Sequence, residues 1–357
     1  MSLRYLVRRL IVAVALLWVL TVATFAVYFA IPADPAGFVL DMQRATPAQI
    51  AKVHRELGTD KPVYVQYEKF LVRALHGDLG TSWNGITFAF AGGENGTPVG
   101  STVLRAAGVT GSLVLGGAVL LLLVAVPLGA LAASRPGSIL DRAAIAFSLV
   151  GVCTHPLVVA LVLQLFVGNT WHLAPPGGYC SFFPQHFLVP GTTRTVSAGA
   201  NPVCWASHLV LPWITFALFF VALYMRMIRA RLLEVLQEPF VSTARAKGAS
   251  EARIIRRHAL PNALLPVITM IGMDVGTAIG VAVYIETVYG LPGLGFTTLR
   301  ALAGIRGYDL PMILGVVLVV GAAIITINLL IDLFAAVIDP TVGRGQARSA
   351  SATGGLR

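Results

Sequence analysis

Residues 10–31 run for 22 positions without a charge, directly behind Arg4, Arg8 and Arg9. An α-helix needs about 20 apolar residues to cross roughly 30 Å of hydrocarbon. The apolar core of a cleaved signal peptide is only about 7–15 residues long, so the stretch predicts a retained membrane helix. Five further apolar stretches follow at residues 109–134, 143–167, 209–225, 264–285 and 310–338. The expected fold is therefore an all-α polytopic membrane protein with six transmembrane helices. Composition agrees, with 56% hydrophobic and 12% charged residues, where a soluble domain carries about a quarter charged.

The basic residues orient the chain. With the N-terminus in the cytoplasm, 16 of the 26 Lys and Arg fall on the inner side, eight of them from Arg226 to Arg257. The outer ones are diluted over longer loops, and the positive-inside rule places both termini in the cytoplasm. This divides the chain into residues 1–31, the cytoplasmic N-terminus and first span, and residues 32–108, a large first extracellular loop. Residues 109–357 hold the other five spans, an extracellular loop at 168–208, a cytoplasmic loop at 226–262 and a cytoplasmic tail.

The first outer loop is expected to hold short amphipathic helices at residues 46–57 and 64–75, and a Gly-rich tip around residues 90–100. In the second outer loop Cys180 and Cys204 lie on the oxidising side of the membrane, as either a disulfide or two free thiols. Cys153 falls within the third span and is expected to pack as a small apolar residue. No CxxC or Cys/His zinc spacing occurs, and no metal site is expected. No GxxxxGK[ST] loop occurs either, so the chain has no phosphate cradle of that kind and ATP hydrolysis is not expected of it.

Three intramembrane features stand out. Asp274 in the fifth span either lines a translocation path, where it would meet a substrate amino group, or packs as a polar residue. Asn328 and Asp332 lie four apart on one face of the sixth span and read as structural polar residues in interhelical hydrogen bonding. His155-Pro156 predicts a kink with a satisfied histidine rather than a ligand. GLPGLG at residues 290–295 follows no strand, so it reads as a tight or re-entrant turn and not as a nucleotide loop.

The densest charged island is residues 238–266, EPFVSTARAKGASEARIIRRHALPNALLP. It has the form helix, glycine break at Gly248, helix. Phe240, Val241 and Ala244 share one side of the first helix. Ile254, Ile255 and Leu260 line the second, which Pro261 is expected to stop. Arg245, Lys247, Arg253, Arg256 and Arg257 surround a single acid, Glu251.

This island resembles the cytoplasmic EAA loop of binding-protein-dependent ABC import permeases. Aligned on Gly248, Ser242-Thr243-Ala244 stands for EAA and His258-Ala259-Leu260-Pro261 for the closing I-x-L-P; Ala244, Gly248, Leu260 and Pro261 match the general form. The run Thr243-Ala244-Arg245-Ala246-Lys247-Gly248 is similar to the peptide and nickel branch. RYLVRRL at 4–10, IPADPA at 31–36, LGTDKPVYVQYEKFLVRALHGDLGTSW at 57–83, YIETVYGLPGLG at 284–295 and NLLIDLFAAVIDPTVG at 328–343 look like the dipeptide/oligopeptide permease B family. The resemblance covers most of the chain in order. It departs at the second outer loop, which is longer and carries the cysteine pair.

The resemblance implies a type I ABC importer permease fold and a multi-pass protein of the bacterial cytoplasmic membrane. It implies that the island is a coupling helix, with Thr243, Ala244, Arg245, Lys247, Gly248, His258, Leu260 and Pro261 as its ATPase-coupling residues. No cofactor is expected on this chain; ATP and Mg would sit on partner subunits. Implied partners are a second homologous permease in a heterodimer, ATPase subunits and an extracellular or periplasmic substrate-binding protein. The basic side chains could also meet membrane lipid, and no nucleic acid is expected. The function implied is import of di- or oligopeptides by alternating access. Nickel, glutathione or haem are the alternative cargoes, and an ion-coupled secondary transporter using Asp274 and Asp332 is the alternative class.

Overall fold

The computed structural model describes residues 3–30, 46–48, 62–82, 97–182, 185–188, 195–198, 201–303 and 308–338. The helix expected at residues 46–57 and the tail from 339 therefore lie largely or wholly outside the described residues, as does the tip around 90–100 up to residue 96; its last two residues already belong to a helix that starts at Val99. The chain forms two compact units, Met1–Gly108 with Phe296–Arg357, and Val109–Gly295.

In the first unit, α1 (Leu3–Ala30) packs along the last helix, α12 (Leu310–Ile338). A Cβ on Gly321 would come within 2.6 Å of Leu20, so the two helices approach where that side chain is missing. Arg9 ion-pairs with Asp332 at 2.6 Å, so the cross-helix partner of Asp332 is a cation on α1; Asn328 is half-buried. The amphipathic helix expected at 64–75 is α2 (Val63–Leu75), held to α1 by a Thr21–Tyr67 hydrogen bond of 3.0 Å and by Phe25 against Tyr67 and Phe70.

The GDLGTSW stretch meets the start of α12 in the same unit. The Ser82 hydroxyl donates to the buried Asp309 carboxylate, whose other oxygen accepts from Met312 N at 3.4 Å. The Asp309 amide itself donates to Ala301 O at 2.7 Å. An acid at the helix N-terminus, facing the N–H groups of its first turn, suits the helix dipole.

The second unit is built around α6 (Pro202–Val235). The 34-residue helix runs well past the expected 209–225, so Arg226, Arg229 and Arg231 lie on it and not in a loop. The other elements are α3 (Val99–Ser134), α4 (Ile139–Cys153), α5 (Pro156–Leu163) with a π-helical turn Gln164–Thr170, α7 (Pro239–Ala246) and α8 (Glu251–Ile254) with a π-helical turn Ile255–Ala259. Then come α9 (Leu260–Met273) and α10 (Val275–Tyr289); α11 (Leu294–Leu302) belongs mostly to the first unit, as does the start of α3. Val109, Leu113, Leu121, Phe216, Phe220, Tyr224, Ile228, Val281, Ile285 and Tyr289 form its buried core.

Four helices, α1, α3, α6 and α12, are each long and apolar enough to cross a membrane. The count reaches six if α4 with α5, and α9 with α10, are each one bent span. The first pair bends by 101° and the second by 60°. The break between α4 and α5 falls at Thr154 and His155. The His155 ring caps α5, its Nδ1 accepting from Leu157 N at 3.2 Å, and packs edge-on against Tyr284. Cys153 is exposed at the end of α4 and does not pack in the core, because the chain leaves the helix there.

Two expectations change. Pro261 does not stop the second helix of the charged island, which continues through α9. The π turn before it widens the hydrogen-bond spacing, Leu260 N donating to Ile255 O, and so makes room for a ring that would otherwise collide with the preceding turn. The segment between α5 and α6 is an exception to the all-α expectation. It holds an antiparallel pair, β1 (Gln185–Leu188) and β2 (Thr195–Ala198), with Gln185 opposite Ala198 and Leu188 opposite Thr195.

Candidate functional site

The charged island is a short helix closed by a tight turn. In α7 the Thr243 hydroxyl returns to Pro239 O at 3.0 Å. Beyond Lys247 the chain turns at Gly248, whose φ of +80° suits glycine far better than any side-chain residue. Gly248 N donates to Arg245 O at 2.9 Å and Ala249 N to Ala244 O at 3.2 Å. Those two bonds are the Schellman pattern, which satisfies the last carbonyls of the helix. Ala244 and Gly248 thus serve one turn, which gives the TARAKG spacing a physical cause.

The turn is fastened from within. Val241 and Ile254 are both 0% exposed. A small apolar cluster of Ala133, Leu232, Ala259 and Ala263, with Leu233, Leu236 and Ile255 against it, joins the ends of α3 and α6 to the π turn and α9. Leu260 packs half-buried against the main core. His258 is half-buried, and its carbonyl accepts from Asn262 Nδ2 at 3.0 Å. Pro261 is exposed in the first turn of α9, directly after the π turn that admits its ring.

Every formal charge on the island points out. Arg245, Lys247, Glu251, Arg253, Arg256 and Arg257 are all exposed. Arg245 Nε donates to Glu251 Oε1 at 2.7 Å and Nη2 to Oε2 at 3.2 Å. That fork raises the Arg245 guanidinium above its ordinary value and holds the Glu251 carboxyl below its own. Phe240 is 42% exposed beside this basic surface. A rigid helix with an outward aromatic and an outward ring of cations is equipped to bind a protein groove lined with acids.

Two further sites lie in the same unit. At the break in the fifth expected span, the half-buried Asp274 carboxylate accepts from the buried Tyr224 hydroxyl at 2.7 Å. Near the end of α10, Glu286 is 0% exposed and accepts from the Thr110 hydroxyl at 2.5 Å and Gly295 N at 2.8 Å. Thr110 Oγ1 in turn accepts from Leu294 N at 2.8 Å. A Cβ on Gly293 would sit 2.2 Å from the Glu286 carboxylate. The GLPGLG motif is therefore a turn wrapped around a buried acid.

Cys180 and Cys204 are joined by a disulfide, with Cα atoms 5.7 Å apart. His208 Nδ1 lies 3.7 Å from Cys204 Sγ, so three potential metal-ligand atoms come within 4.8 Å of one another. Both sulfurs are already bonded to each other, which leaves no thiolate to ligate. The neighbouring Gly178 N donates to Tyr289 O at 2.8 Å, and Gln164 Nε2 bridges Pro176 O and Val288 O at 2.8 Å each. The PPGGYC segment is thereby laid against the end of α10.

Residues 125–344 match the model of the family described as binding-protein-dependent transport system inner membrane component, and residues 2–113 match the model of its N-terminal part. The chain belongs to this family. It is 33% identical to the dipeptide transport system permease protein DppB of Escherichia coli strain K12 over 347 residues, 95% of this chain and 98% of that one. Similarity to the dipeptide transport system permease protein DppB of Alkalihalophilus pseudofirmus is 31% identity over 350 residues, 95% and 99% of the two chains. As an inner membrane component, the chain is a multi-pass membrane permease and not an enzyme. Permeases of this family work with ATPase and substrate-binding protein components, and hydrolysis belongs to the former.

Sequence reasoning missed three features of the permease. Spacing puts Phe240 on one side of α7 with Val241 and Ala244, yet of the three only Val241 is fully buried and Phe240 is exposed. Glu286 passed as part of a loop motif; an acid inside an otherwise apolar stretch was the available signal. Asp141, buried and ion-paired with Arg229 at 2.8 Å through Nη2, lies 88 positions from its partner and left no local signal.

Proposed function

We propose that the chain is the permease subunit of an ATP-driven importer that moves di- or oligopeptides by alternating access. The observation that carries this reading is the Schellman-closed helix of residues 239–249, buried through Val241 and presenting Phe240 and the basic side chains outward. Peptide cargo is supported by the names of the relatives, which are dipeptide permeases.

In this reading α7 sits in a groove of an ATPase subunit on the cytoplasmic side, and both termini lie on that side. Thr243, Ala244 and Gly248 set the turn. Arg245 and Lys247 meet the partner, and His258, Leu260 and Pro261 carry the displacement into the fifth span. ATP and Mg are held by that partner. Arg253, Arg256 and Arg257 reach acids of the partner or anionic lipid headgroups. A second, homologous permease completes a heterodimer, and a binding protein delivers cargo from the outer side. Asp274, half-exposed at a broken helix and oriented by Tyr224, meets the cargo's ammonium group.

The test is affinity purification from the native membrane, wild type beside Gly248→Trp, with mass spectrometry of what accompanies each. Wild type is expected to bring an ATPase and a second permease, and the variant to lose the ATPase. A chain that purifies without any ATPase at every salt concentration overturns the reading.

A further inference from the structure

The fork between Arg229 and Asp141 is the best-buried ion pair in the described residues of Val109–Gly295. Arg229 donates through Nε and Nη2 to the two oxygens of Asp141, the Nη2 contact at 2.8 Å. Asp141 is 2% exposed, and its Oδ2 also accepts from Gly137 N at 2.9 Å. Its backbone N donates to Ser138 Oγ at 3.2 Å, which caps α4. One carboxylate thus holds the turn before α4, the first turn of α4 and the lower part of α6 together. A bidentate guanidinium fixes direction as well as distance, which an ammonium does not.

Arg229 stands three residues before Leu232, the α6 member of the cluster that joins α6 to the π turn and α9, the helix that follows the Gly248 turn. From Asp141, α4 runs back along α6, and Gly151 meets Ala222 where a Cβ would lie 2.5 Å away. The chain then breaks at Thr154 and His155, and α5 packs on α10. Two fastenings, one ionic and one steric, therefore bind α4 to the helix whose end carries the Gly248 turn. No comparable polar link runs from the turn to α4 directly among the described residues.

We infer that Asp141 and Arg229 are positioning residues that transmit displacement of the Gly248 turn into the third span. Without the fork, α6 still moves with the turn, but α4 is held to it only by the Gly151–Ala222 packing and follows it far less. The inference rests on the coupling role proposed above. It adds a third span to the fourth and fifth that the loop joins by covalent connection.

The test uses the whole transporter in liposomes, ATPase included, in a Cys153→Ser background that leaves the disulfide intact. A spin label is placed at Ala246→Cys on the turn or at Ile145→Cys on the outer side of α4, and its mobility is followed as ATP is added. In wild type both labels are expected to respond. In Asp141→Asn and in Arg229→Gln, the Ala246 label still responds while the Ile145 response falls roughly fivefold or more. The double variant is no worse than the worse single one, and Arg229→Lys recovers part of the response. An Ile145 response that persists in the single variants overturns the inference. So does loss of both responses together with the bound ATPase, since the pair would then merely hold the fold. If neither label responds in wild type, the coupling role itself fails, and the strut with it.

Discussion

The guanidinium of Arg9 lies 2.6 Å from the carboxylate of Asp332, joining the beginning of α1 to the end of α12. Two helix ends that share an ion pair share a depth. That pairing predicts that the chain enters and leaves the membrane on one face. Tags on the two termini should accordingly be digested from the same face of inside-out vesicles. Asp332→Ala should lower thermal stability in detergent by about 1 kcal/mol, since both side chains are about one-third exposed and screened. Exchange of the two residues should restore most of it.

Gly248 separates backbone conformation from side-chain bulk, because a Cβ there meets nothing within 4 Å while φ is +80°. Gly248→Asn, which tolerates that conformation, should keep the ATPase bound in a pull-down. Gly248→Val should lose most of it, the left-handed backbone costing about 1–2 kcal/mol and being least tolerated by a β-branched residue. Equal retention by both variants would show that the turn is not what the partner reads.

The buried acid of α10 makes two variants comparable. Glu286→Ala strands the Thr110 hydroxyl and the Gly295 N–H, and an unsatisfied buried group costs about 1–3 kcal/mol. Gly293→Ala leaves the acid in place but drives a methyl into it at 2.2 Å. Both should lower the melting temperature, and Glu286→Gln should fall less than either. Melting curves in one detergent decide it.

The disulfide closes a loop with a sequence separation of 24. Chain-entropy reasoning assigns a loop of that size about 3 kcal/mol. Cys180→Ser, Cys204→Ser and the reduced wild type should therefore melt lower and by similar amounts, while Cys153→Ser should melt as wild type does. Intact-mass analysis after alkylation, with and without reduction, counts the thiols.

What was legible beforehand divides by range. The spans could be read because hydrocarbon thickness demands length, and uncharged length is visible in a string. The Gly248 turn could be read because its hydrogen bonds close within six residues. The break at His155 could be read from the His-Pro pair, whereas the one at Asp274 has no local signal, its polar partner Tyr224 lying 50 positions away on another helix. Pro261 misled because proline's rule concerns the regular helix, and a π turn had already altered the spacing beneath it. The Asp141–Arg229 fork is a purely tertiary fact. The C-terminal end of α6 was misplaced because basic residues look like a loop, whereas a helix leaving the membrane can continue into water unchanged.

The 60° interruption at Asp274 has a consequence for solvent. A helix that stops inside hydrocarbon leaves carbonyls at one end and N–H groups at the other, and lipid tails can satisfy neither. The Tyr224 hydroxyl answers for one oxygen of the acid alone. Where α9 and α10 together make one span, the rest calls for water or polar groups beside Asp274, and a bilayer crossed by such a span is not dry at that level.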